Sequence, residues 1–249
     1  MRAMMSSSEN YQVGLANQLL LVCALVTVLS WATLGVASST APDVAGDHLV
    51  PIVQYVGWAQ QYRRLWQKKL FVTPGEVARF VHLPAFVDTE VAMSVYQAKG
   101  KRGSLAGDYW VTVTEPTVPL SNGIRSVNVQ HPVDARTITI HRADAPLPES
   151  AGQAVRRLWS TMLGQVAQEN SNLIAVDSST EIFSAVDAMG RVIEAQLPAD
   201  AKRDTLALTK IANSLINYAS APESERSKLA RQIEREAIKL LNRVSRQKQ

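Results

Sequence analysis

The chain has 249 residues, of which 46% are hydrophobic and 19% charged, and its formal net charge at pH 7 is +4. This length suits one large domain or two small ones, and the composition excludes a fibrous or disordered chain. The single cysteine, Cys23, excludes a disulfide within the chain and any cysteine-rich zinc module.

A long apolar segment lies near the N-terminus. No charged side chain occurs between Glu9 and Asp43, and within that gap residues 19–37 read LLLVCALVTVLSWATLGVA. As a helix, this segment would be about 28 Å long, which matches the hydrocarbon core of a bilayer. We therefore predict a short tail over residues 1–18 and a transmembrane signal anchor over 19–37. A signal peptide cleaved near Ala37 is the alternative, and a buried core helix is a third interpretation.

The flanking charges predict the orientation of this anchor. Arg2 and the terminal amine precede the segment, whereas Asp43 and Asp47 follow it. By the positive-inside rule, the tail stays in the cytoplasm and the rest of the chain is exported. The chain contains no Asn-x-Ser/Thr sequon, which favours a bacterial envelope. We predict a single-pass protein of the bacterial inner membrane with its C-terminal part in the periplasm, or a secreted or periplasmic protein if the segment is cleaved.

A small α+β domain is predicted over residues 49–145, after a polar linker over 38–48. Residues 49–69 have a helical apolar pattern, and Thr73-Pro74-Gly75-Glu76 is typical of a helix start, which predicts a second helix to about His82. Alternating β-branched and aromatic residues then predict four strands joined by hairpin turns, over 90–97, 108–115, 126–130 and 136–142. Such connections favour an antiparallel sheet.

The remainder, residues 146–249, is predicted to be helical. The proline-bearing segment 143–149 is interpreted as a boundary. After it, apolar residues three or four apart predict helices over 151–169, 178–197, 203–218 and 222–246. The predicted fold class is α+β, with an N-terminal transmembrane helix, a small antiparallel-sheet domain and a C-terminal helical bundle or arm.

The last predicted helix carries an unusual charge. From Pro222 onward there are eight basic and four acidic residues, an excess equal to the net charge of the whole chain. A basic stripe runs beside an apolar one, which predicts a partner or lipid interface that comprises Leu229, Arg231, Ile233, Arg235, Lys239, Leu240 and Val244. The alternative is a solvated bundle face with Glu–Lys and Glu–Arg pairs. Nucleic acid is not an expected partner, because no aromatic residue follows Tyr218.

No catalytic or cofactor motif was found. The sequence contains no Walker loop, dinucleotide fingerprint, HExxH, CxxC or GxSxG. No metal or cofactor is expected; His131 and His141, on neighbouring predicted strands, are the candidates if a metal site exists. The sequence favours a non-catalytic structural or assembly component that binds protein partners or copies of itself, with the layout of bitopic subunits of secretion and conjugation machines. A periplasmic hydrolase or metal-dependent enzyme is one alternative, and a small-ligand-binding periplasmic domain is another.

Overall fold

A computed structural model describes residues 47–52, 57–71, 76–85, 88–98, 109–124, 133–166, 179–186 and 189–246. Within these ranges, seven antiparallel strands form one sheet in the order β1-β7-β6-β2-β3-β4-β5. The strands are β1 Val50–Pro51, β2 Glu76–Leu83, β3 Val91–Gln97, β4 Tyr109–Pro116, β5 Ile140–Leu147, β6 Thr180–Val186 and β7 Val192–Gln196. The helices are α1 Trp58–Leu70, α2 Glu149–Leu163, α3 Arg203–Ser220 and α4 Glu223–Arg246, with a 3-10 turn over Leu120–Gly123.

The predicted α+β class is confirmed, and so are two strands of the predicted sheet. Strands β3 and β4 pair in register, with Met93 opposite Val113 and Val95 opposite Val111. These four side chains lie in one core cluster, on the face that the period-two pattern predicted. Helices α2, α3 and α4 also match predicted helices, although α2 ends at Leu163, short of the predicted residue 169.

The helix predicted from Thr73 to His82 is wrong, because this segment contains strand β2. β2 is a central strand that pairs with β3 on one side and β6 on the other. Phe80 packs into the core on one face of the sheet, and Val81 packs into the core on the other face. A strand buried on both faces shows no clean alternation, so its apolar residues fit a helical pattern equally well.

The helix predicted over residues 178–197 is also wrong, since this segment forms the hairpin of β6 and β7. Ile182, Val186, Met189 and Ile193 are three or four residues apart, which fits one face of a helix. Gly190 decides against a helix because its φ is +78°, a left-handed conformation that favours glycine and ends a helical path. β6 then pairs with β2 and draws the hairpin into the sheet.

Two boundaries differ from the prediction. The helix predicted from Leu49 begins only at Trp58, after Gly57 with φ of +60°. The predicted strand 136–142 lies instead at Ile140–Leu147, and it takes in most of the supposed boundary segment. Pro146 is accommodated there because β5 is the last strand of the sheet. The predicted strand 126–130 lies outside the described residues.

The sheet is covered on both faces. α2 and α3 pack on one face, and α4 packs on α2 and α3. α1 and the 3-10 turn cover part of the other face, around Trp66 and Leu120. The two predicted domains, 49–145 and 146–249, are therefore not separate: both contribute strands to one sheet, and residues 46–249 form one compact unit. A free-standing helical bundle or arm is excluded because the helices bury their apolar faces on the sheet and on each other.

The predicted tail, anchor and most of the linker lie outside the described residues. Among the residues that are described, no helix combines the length and the apolar character that crossing a membrane requires.

Candidate functional site

The apolar stripe of α4 is part of the core of the domain. Ile233, Leu240 and Val244 are at most 2% exposed and belong to the main core cluster, against which Leu229 is partly buried. These four residues were predicted to lie in a partner or lipid interface. That prediction is corrected: these residues pack within their own chain, because the apolar stripe of α4 is buried against α2 and α3.

The opposite side of α4 faces solvent and is strongly basic. Five cationic side chains repeat at intervals of three, four or seven residues and so share the outward side of the helix. Ile238, which is 43% exposed, lies among them. We call this surface the basic face; its cations are Lys228, Arg231, Arg235, Lys239 and Arg246. It extends over about 27 Å of helix.

The acidic residues of α4 do not neutralise the basic face. Glu234 accepts a hydrogen bond from Ser150 Oγ at 2.9 Å, and Glu236 accepts one from Gln232 Nε2 at 2.9 Å. Arg235 donates its Nε proton to the carbonyl oxygen of Arg231 rather than to a carboxylate. Within the described part of the chain, no cation of the basic face forms an ion pair. Glu234 lies beside Arg231 and Arg235, and the basic face keeps an excess of positive charge because its five cations outnumber the carboxylates near them.

Two shallow depressions lie along this face, and both open to solvent. The first is lined by Ser224, Ser227, Lys228, Arg231, Glu234 and Arg235. The second is lined by Arg203, Lys239, Asn242, Arg243 and Arg246. Their walls combine the aliphatic stems of these side chains with guanidinium, ammonium, hydroxyl and amide groups, and Glu234 adds a carboxylate to the first, so the charged ends can bind anions.

Buried polar contacts join the end of α4 at the second depression to the N-terminus of α3. Arg243 forms an ion pair with Asp204, 2.5 Å from Nε to Oδ1, and Asp204 is only 2% exposed. The N-terminus of α3 is capped by Asp47, which accepts hydrogen bonds from the backbone N–H groups of Asp204 and Thr205 and from the Thr205 hydroxyl. The residue at the helix start, Lys202, has no side-chain acceptor, so a distant carboxylate supplies the cap.

A row of polar side chains crosses the face of the sheet that α1 covers in part. The register of six neighbouring strands places these side chains opposite one another, in the order Glu194, Ser184, Arg79, Ser94, Thr112 and Asp144. The sequence analysis missed this row because strand register is not visible locally. Its only sequence signal is the polar residue at every second position of single strands, such as Thr112 and Thr114 in β4.

Each charged member of the row has a partner of opposite charge. Arg79 pairs with Glu76, and Ser94 Oγ donates to Glu76 Oε1 at 3.0 Å. Arg63 of α1 pairs with Glu194. Burial lowers the pKa of Arg79, although the charge of Glu194 opposes that change. Because these charged groups form ion pairs, none of them is an activated acid, base or nucleophile.

The other end of the row contains a second pair. Asp144 accepts hydrogen bonds from Thr112 Oγ1 at 2.5 Å and from Arg142 Nε at 2.8 Å. Burial alone would raise the pKa of Asp144, but these two donors and the charge of Arg142 outweigh it and hold the pKa below its ordinary value. Asp144 is therefore a carboxylate held ionised, which suits a structural role.

The histidines considered for metal binding do not come together in the described residues. His141 is exposed on β5, opposite Glu115 of β4, whereas His131 lies outside the described residues. In the part of the chain that the structure describes, no three His, Cys, Asp or Glu side chains are arranged to hold a metal ion. The metal-dependent alternative remains an untested prediction.

Comparison with known proteins adds no assignment: no protein-family model, curated protein or solved structure matches the chain. The function therefore has to be argued from the site itself.

Proposed function

We propose that the chain is a non-catalytic component of a bacterial envelope assembly. In this proposal, residues 19–37 anchor it in the inner membrane and the domain from residue 46 onward is exported. The apolar run and the charge asymmetry at the N-terminus support the anchor. The layout, a short inner tail with one span and an exported α+β domain, is shared with bitopic subunits of secretion and conjugation machines, which supports the proposal only by analogy.

The basic face of α4 is the observation that carries the proposed docking role. Like charges four residues apart, such as Arg231 with Arg235 and Arg235 with Lys239, each destabilise a helix by about 0.2–0.5 kcal/mol. Glu234 offsets part of this repulsion, but no cation of the basic face forms an ion pair within the described residues. A surface that keeps an excess of positive charge at some cost to stability suits a binding role towards an anionic surface.

Site-specific photo-crosslinking in intact envelope tests this docking role. A photoreactive residue replaces Ile238, in the basic face, and in a second variant replaces Val133, which has nearly the same exposure, 43% against 44%. We expect adducts from position 238 in excess of those from position 133, because docking holds the face against its partner. Mass analysis of the adducts separates lipid from protein.

The charge dependence of the adducts provides the control. Arg231→Glu, Arg235→Glu and Lys239→Glu together reverse three charges on the basic face and should remove the adducts at position 238. The matched variant reverses three exposed cations elsewhere, Arg136, Arg156 and Arg157. The proposal would be contradicted by equal adduct yields from positions 238 and 133 that the charge reversal does not change. The basic face would then be an ordinary solvent-exposed helix surface.

A further inference from the structure

The chain enters the folded domain beside one end of the basic face. Asp47 caps α3 at Asp204 and Thr205, and Asp204 in turn pairs with Arg243 in the last turns of α4. Asp47, the first described residue and part of the predicted linker, is thus joined through two polar contacts to the C-terminal end of α4. These contacts are buried or half-buried, so they hold the chain entry and the helix end together.

Positive charge is concentrated at this end of the domain. Arg203, Lys239 and Arg246 line the second depression, and none of them forms an ion pair within the described ranges. Lys202 is exposed next to Arg203, and Asp200 is the exposed acid nearest to them in sequence. Even with Asp200 counted, this end keeps an excess of positive charge.

The length of the linker limits how far the start of the folded domain can lie from the end of the proposed anchor. The proposed anchor ends at Ala37, ten residues before Asp47. Whatever conformation the linker adopts, ten residues span at most about 35 Å. The geometry points to a specific occupant: the basic end formed by Arg203, Lys239 and Arg246 binds anionic phospholipid head groups of the membrane in which the chain is anchored. This inference rests on the anchor in the proposed function.

The chemistry of the depression suits a phospholipid. Four cationic side chains and one amide line it, and the aliphatic stems of these side chains form much of its surface, so it can contact both a phosphate and the apolar part of a lipid. Each basic side chain near an anionic membrane raises the equilibrium constant for membrane contact roughly fivefold. Three such side chains together raise it by a factor on the order of one hundred. Such weak binding becomes effective because a short tether keeps the local concentration of head groups high.

The test uses the full chain reconstituted in nanodiscs of phosphatidylcholine alone or with added phosphatidylglycerol. A fluorophore is attached at Asn242→Cys, in a Cys23→Ser background, and the discs contain lipids with a quencher on the head group. We expect quenching at position 242 to increase several-fold in the phosphatidylglycerol discs at low salt. It should fall again near 1 M salt, where the Debye length is about 3 Å.

Two variants make the result specific. The increase in quenching at position 242 should be abolished by the triple variant Arg203→Gln, Lys239→Gln and Arg246→Gln. It should be unchanged in the double variant Arg156→Gln and Arg157→Gln. A fluorophore at Ser224→Cys, about 27 Å away along α4, should show less quenching. Equal quenching in both lipids, or an increase that survives the triple change, overturns the inference. In that case protein adducts at position 238 would still support the proposed function, whereas failure of the chain to insert into discs would refute the anchor itself.

Discussion

At the scale of single residues, the contact between Gly152 and Tyr109 gives a sharp test of packing. A Cβ at Gly152 of α2 would lie closer than 3 Å to three side-chain atoms of buried Tyr109. Alanine improves helix propensity by about 1 kcal/mol over glycine, but overpacking a core costs about 1–3 kcal/mol. We expect Gly152→Ala to lower the stability by about 1 kcal/mol and the Tm by about 2–4 °C, measured by thermal unfolding in neutral detergent.

A second background shows whether the clash is the cause. In a Tyr109→Ala chain the ring is gone and only the Cβ of residue 109 stays close, so Gly152→Ala should lower the Tm less than it does in the wild-type chain. An equal loss of stability in both backgrounds would mean that the space around Gly152 is not limited by the Tyr109 ring.

The lowered pKa of Asp144 predicts a pH dependence at the same scale. A carboxylate with a depressed pKa in the folded state adds stability above its unfolded value of about 3.9. That stability is lost as the pH falls through the lower, folded value. Because Asp144 is 37% exposed, solvent screening limits the effect to about half a kcal/mol. Wild type should therefore melt above Asp144→Asn at pH 7, and the difference should vanish well below pH 4.

The partner of Asp144 is the matched variant. Arg142→Gln removes the charge and the hydrogen bonds that depress the pKa, so it should reduce the same pH-dependent difference. A gap between wild type and Asp144→Asn that is constant from pH 7 to acid would refute the coupling.

At the scale of elements, the N-terminus of α3 depends on a residue far away in sequence. Asp47 supplies its cap, and Asn is about as good a helix cap as Asp, whereas Ala is not. We expect Asp47→Ala to destabilise the domain by about 1 kcal/mol and Asp47→Asn to destabilise it less, because the amide keeps one of the two acceptor oxygens. Hydrogen exchange checks the mechanism: the amides of Asp204 and Thr205 should exchange faster in Asp47→Ala. Unchanged exchange there would mean that the cap contributes nothing.

The helices and strands whose hydrophobic pattern fits only one period were predicted from the sequence. Those whose pattern fits both the helical and the strand period were not. α3 and α4 have polar residues opposite a single apolar stripe, so their bounds are close to the prediction. β6 and β7 carry apolar residues that fit both periods, and only Gly190 signalled a turn. β2 has a good helix-start signal at Thr73, but pairing on both sides of the strand outweighs that local preference.

The candidate site likewise has features that the sequence predicts and features that depend on tertiary contacts. The exposure of Arg231, Arg235 and Lys239 follows from helical spacing alone, and these three predicted residues lie together on the surface. The burial of Ile233 and Leu240 in their own chain was not predicted, because sequence does not show which surface covers an apolar stripe. The pairing of Asp204 with Arg243 and the polar row across the sheet depend on tertiary contacts and strand register, which no local pattern encodes.

At the scale of the whole molecule, the described residues from 47 onward form one α+β domain that buries its apolar surfaces and exposes charge. α4 covers α2 and α3 with its apolar side and leaves the basic face exposed. The chain entry at Asp47 lies beside one end of that face. The proposed anchor over residues 19–37 is the premise on which lipid binding by this face depends.

Alkaline carbonate extraction of membranes from cells that express the full chain tests the anchor most directly. Carbonate releases proteins held only by charge, so the basic face alone cannot retain the chain in the pellet. We expect full-length protein in the membrane pellet, because a predominantly apolar span of 19 residues is held by the hydrophobic effect. Recovery of full-length chain in the soluble fraction, or of a shorter soluble chain cleaved near Ala37, would contradict it.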